Sequence, residues 1–271
     1  MEIKKYLGCM LALCCSLAQA SPQLPIWQGL AFEQRTLWAT AQSVISVDEV
    51  PDQAGVWSLT ASSSVARNSE EVIVNFRADS GRVIDRKRLS RGRDQRVKIF
   101  QYGERSVVRE RRDPAGKPEL PQSEWQLKSH REIPYPGNPD QPPVTASYAL
   151  VVMADRFRQS TDTSAQYVVL TDLNFYRVTL SRGDSTEVKV DYQLEGKGRI
   201  RGERKADVIQ VTAEPEGTPE DKPDFSLLGL SGEINLLFDQ ESGLLLQLQG
   251  RAPRIGKTSI SLTAATLHDT P

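Results

Sequence analysis

The sequence predicts an all-β protein, an antiparallel meander forming a curved half-barrel or open barrel with one helix. Apolar and polar residues alternate at period 2 over most of the chain, while the 3.6-residue helical period is scarce. Short alternating runs are separated by Gly, Asn, Asp and Ser turn signals. Apolar content is low, 38% of 271 residues, which suits a sheet with one buried face and one wet face. A two-sheet β-sandwich is the alternative arrangement of the same strands.

Residues 1–20 read as a secretory signal peptide. Lys4 and Lys5 precede an uncharged apolar run, and Ala18-Gln19-Ala20 supplies small residues for cleavage after Ala20. The run is shorter than the roughly 20 apolar residues of a membrane span, and no later segment approaches that length. The expected location is periplasmic. Cys9, Cys14 and Cys15 all lie in the signal, so cleavage leaves a chain without thiols or disulfides. Much of the apolar content leaves with it. The net charge of −1 gives no global pull toward nucleic acid.

The mature chain, 21–271, reads as a single β-rich domain with a Pro-rich connection at 113–143. Residues 21–36, with Pro22, Pro25 and Gly29, read as a lead. Strands are expected at 37–47, 57–65, 71–78, 82–89, 97–102 and 105–110. Eight prolines between 113 and 143 remove backbone donors and break the pattern, leaving room for a short strand at 125–128. Residues 146–158 are the helix candidate, with Leu150, Met153, Ala154 and Phe157 on one stripe. Strands resume at 167–171, 175–180, 187–194, 199–203 and 207–212. An acidic, Pro-rich loop at 214–224 follows, then a hairpin from 233–238 and 244–249, and a closing strand at 258–266.

The last half resembles the proteobacterial exported domain-of-unknown-function family number three-one-zero-eight, over about residues 146–268 and, in its opening meander, 57–112. The resemblance rests on Asp155-Arg156-Phe157-Arg158 ending the helix and on Gly232-Glu233-Ile234-Asn235-Leu236-Leu237-Phe238-Asp239. The hairpin return at 244–249 and Arg254-Ile255-Gly256 leading into Leu262 complete it. It implies a periplasmic β-rich fold and no known reaction. The Pro-rich connection and the Arg-rich meander depart from that family's pattern.

Several chemistries are excluded or unsupported. His130 and His268 are the only histidines and the mature chain has no cysteine, so a Cys/His zinc site and a cysteine nucleophile are ruled out. No Gly-x-Ser-x-Gly elbow presents a serine. Gly256-Lys257-Thr258 lacks the glycine five places earlier that a phosphate-binding loop needs. Arg182-Gly183-Asp184 matches an adhesion tripeptide but reads as a hairpin turn between two strands. No metal or cofactor is expected.

Residues 77–112 stand apart, with eleven Arg and two Lys against five acids. The guanidinium fork binds carboxylate or phosphate through two parallel hydrogen bonds. The candidate anion-binding residues are Arg86, Arg88, Arg91, Arg93, Arg96, Arg109, Arg111 and Arg112. Arg82, Arg86 and Arg88 are expected on one strand face, with Val83 on the other. The partners such a face fits are lipid, an envelope glycan or an acidic envelope protein. The competing reading is a solvated sheet face paired with acids such as those of the 214–224 loop.

The expected function is a non-enzymatic envelope protein whose half-barrel holds an apolar ligand or a partner segment. A lined apolar cavity would support the apolar ligand and a filled interior would oppose it. An assembly or scaffold factor docking an acidic partner through the Arg-rich face is the second reading. A glycan-active hydrolase using a carboxylate pair is the third.

Overall fold

The structure is a computed structural model that describes residues 23–35, 40–137, 142–217, 224–253 and 255–268. The signal, its cleavage site and residues 36–39 lie outside the described residues. Alternation in the sequence becomes the pleat of a sheet. In β3 (Val56–Val65), Trp57, Leu59 and Ala61 turn inward and are buried, with Ser58, Thr60 and Ser62 between them.

The first half of the chain forms β1 (Trp27–Arg35), β2 (Thr40–Glu49), β3, β4 (Asn68–Arg77), β5 (Val83–Arg91), β6 (Arg96–Tyr102), β7 (Ser106–Asp113) and β8 (Gln126–Pro134). The second half forms β9 (Val144–Thr145), β10 (Ser164–Leu170), β11 (Phe175–Leu194), β12 (Gly198–Glu216), β13 (Ser231–Asp239), β14 (Leu245–Ala252) and β15 (Gly256–Leu267). All fifteen strands join one sheet, in the order β8 back to β1, then β15 back to β9. The sandwich alternative therefore does not hold. The β9–β10 and β11–β15 pairs are parallel; all others are antiparallel. Gln193 and Leu194 of β11 pair with Ala264 and Ala265 of β15, which closes β11 to β15 into a five-stranded ring.

A 3-10 turn, Ser147–Ala149, leads into α1 (Leu150–Gln159). The turn packs on β3 and β4, and α1 packs on β11, β12 and β13. The sheet thus curls around the helix. Every residue of α1 from Leu150 to Asp155 is buried, as is Phe157. The four residues of the expected stripe are all buried, and Val151, Val152 and Asp155 are buried with them because the helix has sheet on opposite sides. The turn before β5 presses on it. A Cβ on Gly81, at φ +74°, would come within 2.5 Å of Met153 Sδ.

Other differences have local causes. The 21–36 lead contains β1, whose Trp27, Leu30 and Phe32 are buried; its pairing with β15 shifts register between Trp27 and Gly29 and again between Ala31 and Phe32, which breaks simple alternation. Residues 175–180 and 187–194 are one continuous strand, and so are 199–203 and 207–212. A bulge between Gly183 and Thr186 lets the long ribbon bend instead of turning back. Arg182-Gly183-Asp184 is therefore not a hairpin turn. A Cβ on Gly183 would meet Val208 Cγ1 at 3.1 Å. Arg182 Nη2 donates to the carbonyls of Phe157 and Ser160, at 3.1 and 2.6 Å, and Nη1 to that of Arg158, satisfying the C-terminus of α1. The short strand expected at 125–128 is the longer β8, with Pro134 at its end on the sheet's edge. Trp125 precedes β8 and covers Leu89 and Val97 on the sheet's outer face.

Candidate anion-binding site

A bulge decides which arginines face inward. Asn75 pairs with Asp85 but Phe76 pairs with Val83, so Ile84 is an extra residue in β5. Val83 consequently shares the inner face with Arg86 and Arg88, contrary to strict alternation. Two inner rows then run across neighbouring strands. One is Arg86, Phe100, Arg109 and Arg131; the next is Arg88, Lys98, Arg111 and Ser129. Arg88, Lys98 and Arg111 are directly opposite one another on three strands, an arrangement of like charges that destabilises a sheet unless anions offset it.

The turn between β10 and β11 offsets part of it. Asp172 accepts from Arg109 Nε at 2.9 Å and Nη2 at 3.0 Å, and from Lys98 Nζ at 2.5 Å. Arg86 Nη1 donates to the Leu170 carbonyl at 2.7 Å and Nη2 to that of Thr171. Its guanidinium lies 3.8 Å from the centroid of Phe100. Burial opposes the Asp172 charge, but its two cations outweigh it and hold the carboxyl at about 2. Lys98 is buried more deeply, and desolvation outweighs its single carboxylate, lowering it to about 8. Burial likewise lowers Arg86. Phe100, Val107 and Ile133 pack on Val168, Leu170 and Phe175 beside this lock.

The remaining inner arginines stand at an open mouth. Arg88 and Arg111 each keep 39% of their side-chain surface exposed, against 6% for Arg109. Arg88 pairs with Glu70 at 2.6 Å, and Glu70 outweighs burial to hold the guanidinium pKa up. Arg111 pairs with Asp113 at 3.0 Å. Beside them, Arg96 faces a cleft of about 360 Å³ with Glu70, Ser63 and Ser90, and the Arg96 Nε is buried without a partner among the described residues. Arg91 and Arg93 form the rim; Arg91 reaches Glu71 only at 3.8 Å.

The eight predicted residues therefore separate. Arg86 and Arg109 belong to the lock. Arg88, Arg96 and Arg111 line the mouth, with Arg91 and Arg93 at its rim. Arg112, opposite Val97, faces outward and pairs with Glu110 at 2.9 Å. Glu70, Lys98, Arg131 and Asp172 were not in the predicted set. Residues 218–223 of the acidic loop lie outside the described residues, and none of its described acids pairs with an arginine of this face. Asp224 instead braces the Asp172 turn, accepting from the Thr171 hydroxyl at 2.8 Å and the Tyr176 hydroxyl at 3.2 Å.

No family model matches the chain. No curated protein matches it. Among solved structures it is similar to a β-barrel-like protein of domain of unknown function DUF1849 from Brucella abortus. The two share 11% identity with a TM-score of 0.49, over 92% of this chain and 100% of that one.

α1 and the side chains around it pack into the half-barrel's interior. A cleft of about 1180 Å³ is lined by Lys189, Asp191, Arg199, Arg201 and Glu203 together with Tyr192, Leu246 and Leu262. There Asp191 is held below the usual carboxylate range by hydrogen bonds from Arg199 and Arg201, which suits an acceptor and not a general acid. Burial raises Asp155, but that carboxyl is enclosed at α1 and paired with Arg158 at 3.0 Å. His130 is exposed on β8 near Glu110, and His268 follows β15. No group of three or more His, Cys, Asp or Glu among the described residues could hold a metal ion, and no helix among them is long and apolar enough to cross a membrane.

Proposed function

We propose that this chain is a non-catalytic envelope protein that docks an acidic segment of a partner protein at the mouth of its half-barrel. The observation that carries this reading is the register of Arg88, Lys98 and Arg111 across three adjacent strands. Asp172 serves Lys98 from the lock side, which leaves Arg88 and Arg111 facing solvent with one carboxylate each. An incoming carboxylate would relieve the repulsion along this row. Export rests on the signal read in residues 1–20 and on the resemblance to an exported family.

The test is titration of the mature protein with polyglutamate, followed by fluorescence anisotropy at low and high salt. Binding should weaken with salt and fall at least about tenfold in Arg88→Gln/Arg111→Gln, as expected for losing two charge-assisted contacts. Unchanged affinity in that variant would remove the proposal. Anionic vesicles serve as the comparison: tighter binding to them than to polyglutamate would shift the ligand to a lipid headgroup and overturn the protein-partner reading.

A further inference from the structure

We infer that the acidic segment binds as an added β-strand on the free edge of β8. This rests on the docking reading above and adds a second contact to it: the added strand lies two strands from Arg111 and four from Arg88, so the strand-forming part of the segment is distinct from the part that meets the mouth. β8 ends the sheet; it pairs with β7 and, among the described residues, with no other strand. The opposite end of the sheet, β9, is only two residues long, whereas β8 offers nine.

The direction of the free hydrogen-bonding groups follows from one contact. The Tyr135 N–H donates to the Arg105 carbonyl at 3.0 Å, so this facing pair is hydrogen-bonded. In an antiparallel ladder such pairs alternate with non-bonded ones. Val107–Ile133, Arg109–Arg131 and Arg111–Ser129 then bond inward to β7. His130 and Glu132, opposite Glu110 and Val108, turn their backbone N–H and C=O outward. Pro134, without an N–H, falls on the same outward set and ends the free edge.

The side chains around this edge select the occupant. Lys128 and Arg131 are exposed, and Arg131 lies directly opposite Arg109 at the last position of an inner row. The next place in that row is the one an added strand would fill. An acidic side chain there forms an opposite-charge pair across strands, while a second copy of β8 would bring Lys128 and Arg131 near their own kind. Leu127, 47% exposed, gives an apolar neighbour on the outer face for the alternate residues of the segment. The occupant is therefore an extended acidic segment of a partner, with acids and apolar residues alternating.

The experiment uses the mature protein and a synthetic peptide of roughly ten residues alternating Glu and Val, long enough for one strand. Titration calorimetry gives affinity, and amide hydrogen exchange reads His130 and Glu132. Binding should slow exchange at both amides. Glu132→Pro removes one outward donor without taking a ladder bond from β7, and should weaken the peptide about tenfold while polyglutamate binding stays within twofold. An unfolding curve checks that this variant is folded, and His130→Pro provides the second variant if it is not. If both proline variants bind the peptide normally but Arg88→Gln/Arg111→Gln does not, strand addition is overturned and docking survives. If none of the three variants changes binding, both readings fall. Dimerisation through β8 without peptide would overturn the choice of occupant.

Discussion

Between β11 and β15 the backbone closes the ring, whereas between β5–β7 and the β10–β11 turn side chains close the half-barrel. Backbone closure requires no charge, and the residues it encloses are Val188, Val190, Tyr192 and Leu194, all buried. Side-chain closure puts Arg86, Lys98 and Arg109 inside, each neutralised or hydrogen-bonded by a short turn. A turn of this length reaches one row of cations and part of the next. Arg88 and Arg111 lie past its reach, and they form the mouth. One segment of sequence thus supplies both a structural lock and the arginines of the proposed docking surface.

The largest effect should come from opening the ring. Tyr192→Ala removes a large buried side chain and should lower unfolding free energy by about 3–4 kcal/mol in a denaturant titration. Polyglutamate binding at the mouth should persist wherever this variant is folded. Asp172→Ala breaks the other closure and leaves Lys98 and Arg109 without their carboxylate. A loss of about 3 kcal/mol is expected from removing one partner of a buried pair. Limited proteolysis should then cut the β10–β11 turn before the ring.

Acid should act on the lock selectively. Asp172 is depressed from 3.8 to about 2 in the fold, so the stability it supplies is complete above its unfolded value and is lost as pH falls from about 4 toward 2. The difference between the parent and Asp172→Asn should shrink by roughly 2 kcal/mol across that window. A constant difference would mean that the carboxylate charge is not what closes this side. The smallest effect is expected at Arg182→Gln, which uncaps α1 and should cost about 1 kcal/mol without changing anion binding.

Much of this architecture was legible in the sequence. Alternation and turn residues located most of the strands, and the helix was placed within a few residues. The exceptions are positions where the period breaks. Register shifts hid β1, the extra Ile84 moved Val83 to the arginine face, and the bulge after Gly183 made one strand resemble two. The arginine cluster was visible as composition, but its division was not. Asp172 is more than sixty residues from either cation it holds, and no local signal marks an ordinary turn aspartate as their partner. The all-round burial of α1 is also a consequence of the sheet's curl, which short-range periodicity does not encode.

The lock and the proposed mouth are separable parts of one arginine-rich face. Polyglutamate affinity and the urea unfolding midpoint, measured together in Arg88→Gln/Arg111→Gln, separate the two. Affinity should fall at least about tenfold with the midpoint nearly unchanged, because exposed ion pairs add little stability. Unchanged affinity, or a midpoint that falls as far as in Asp172→Ala, would show that lock and mouth are not separable.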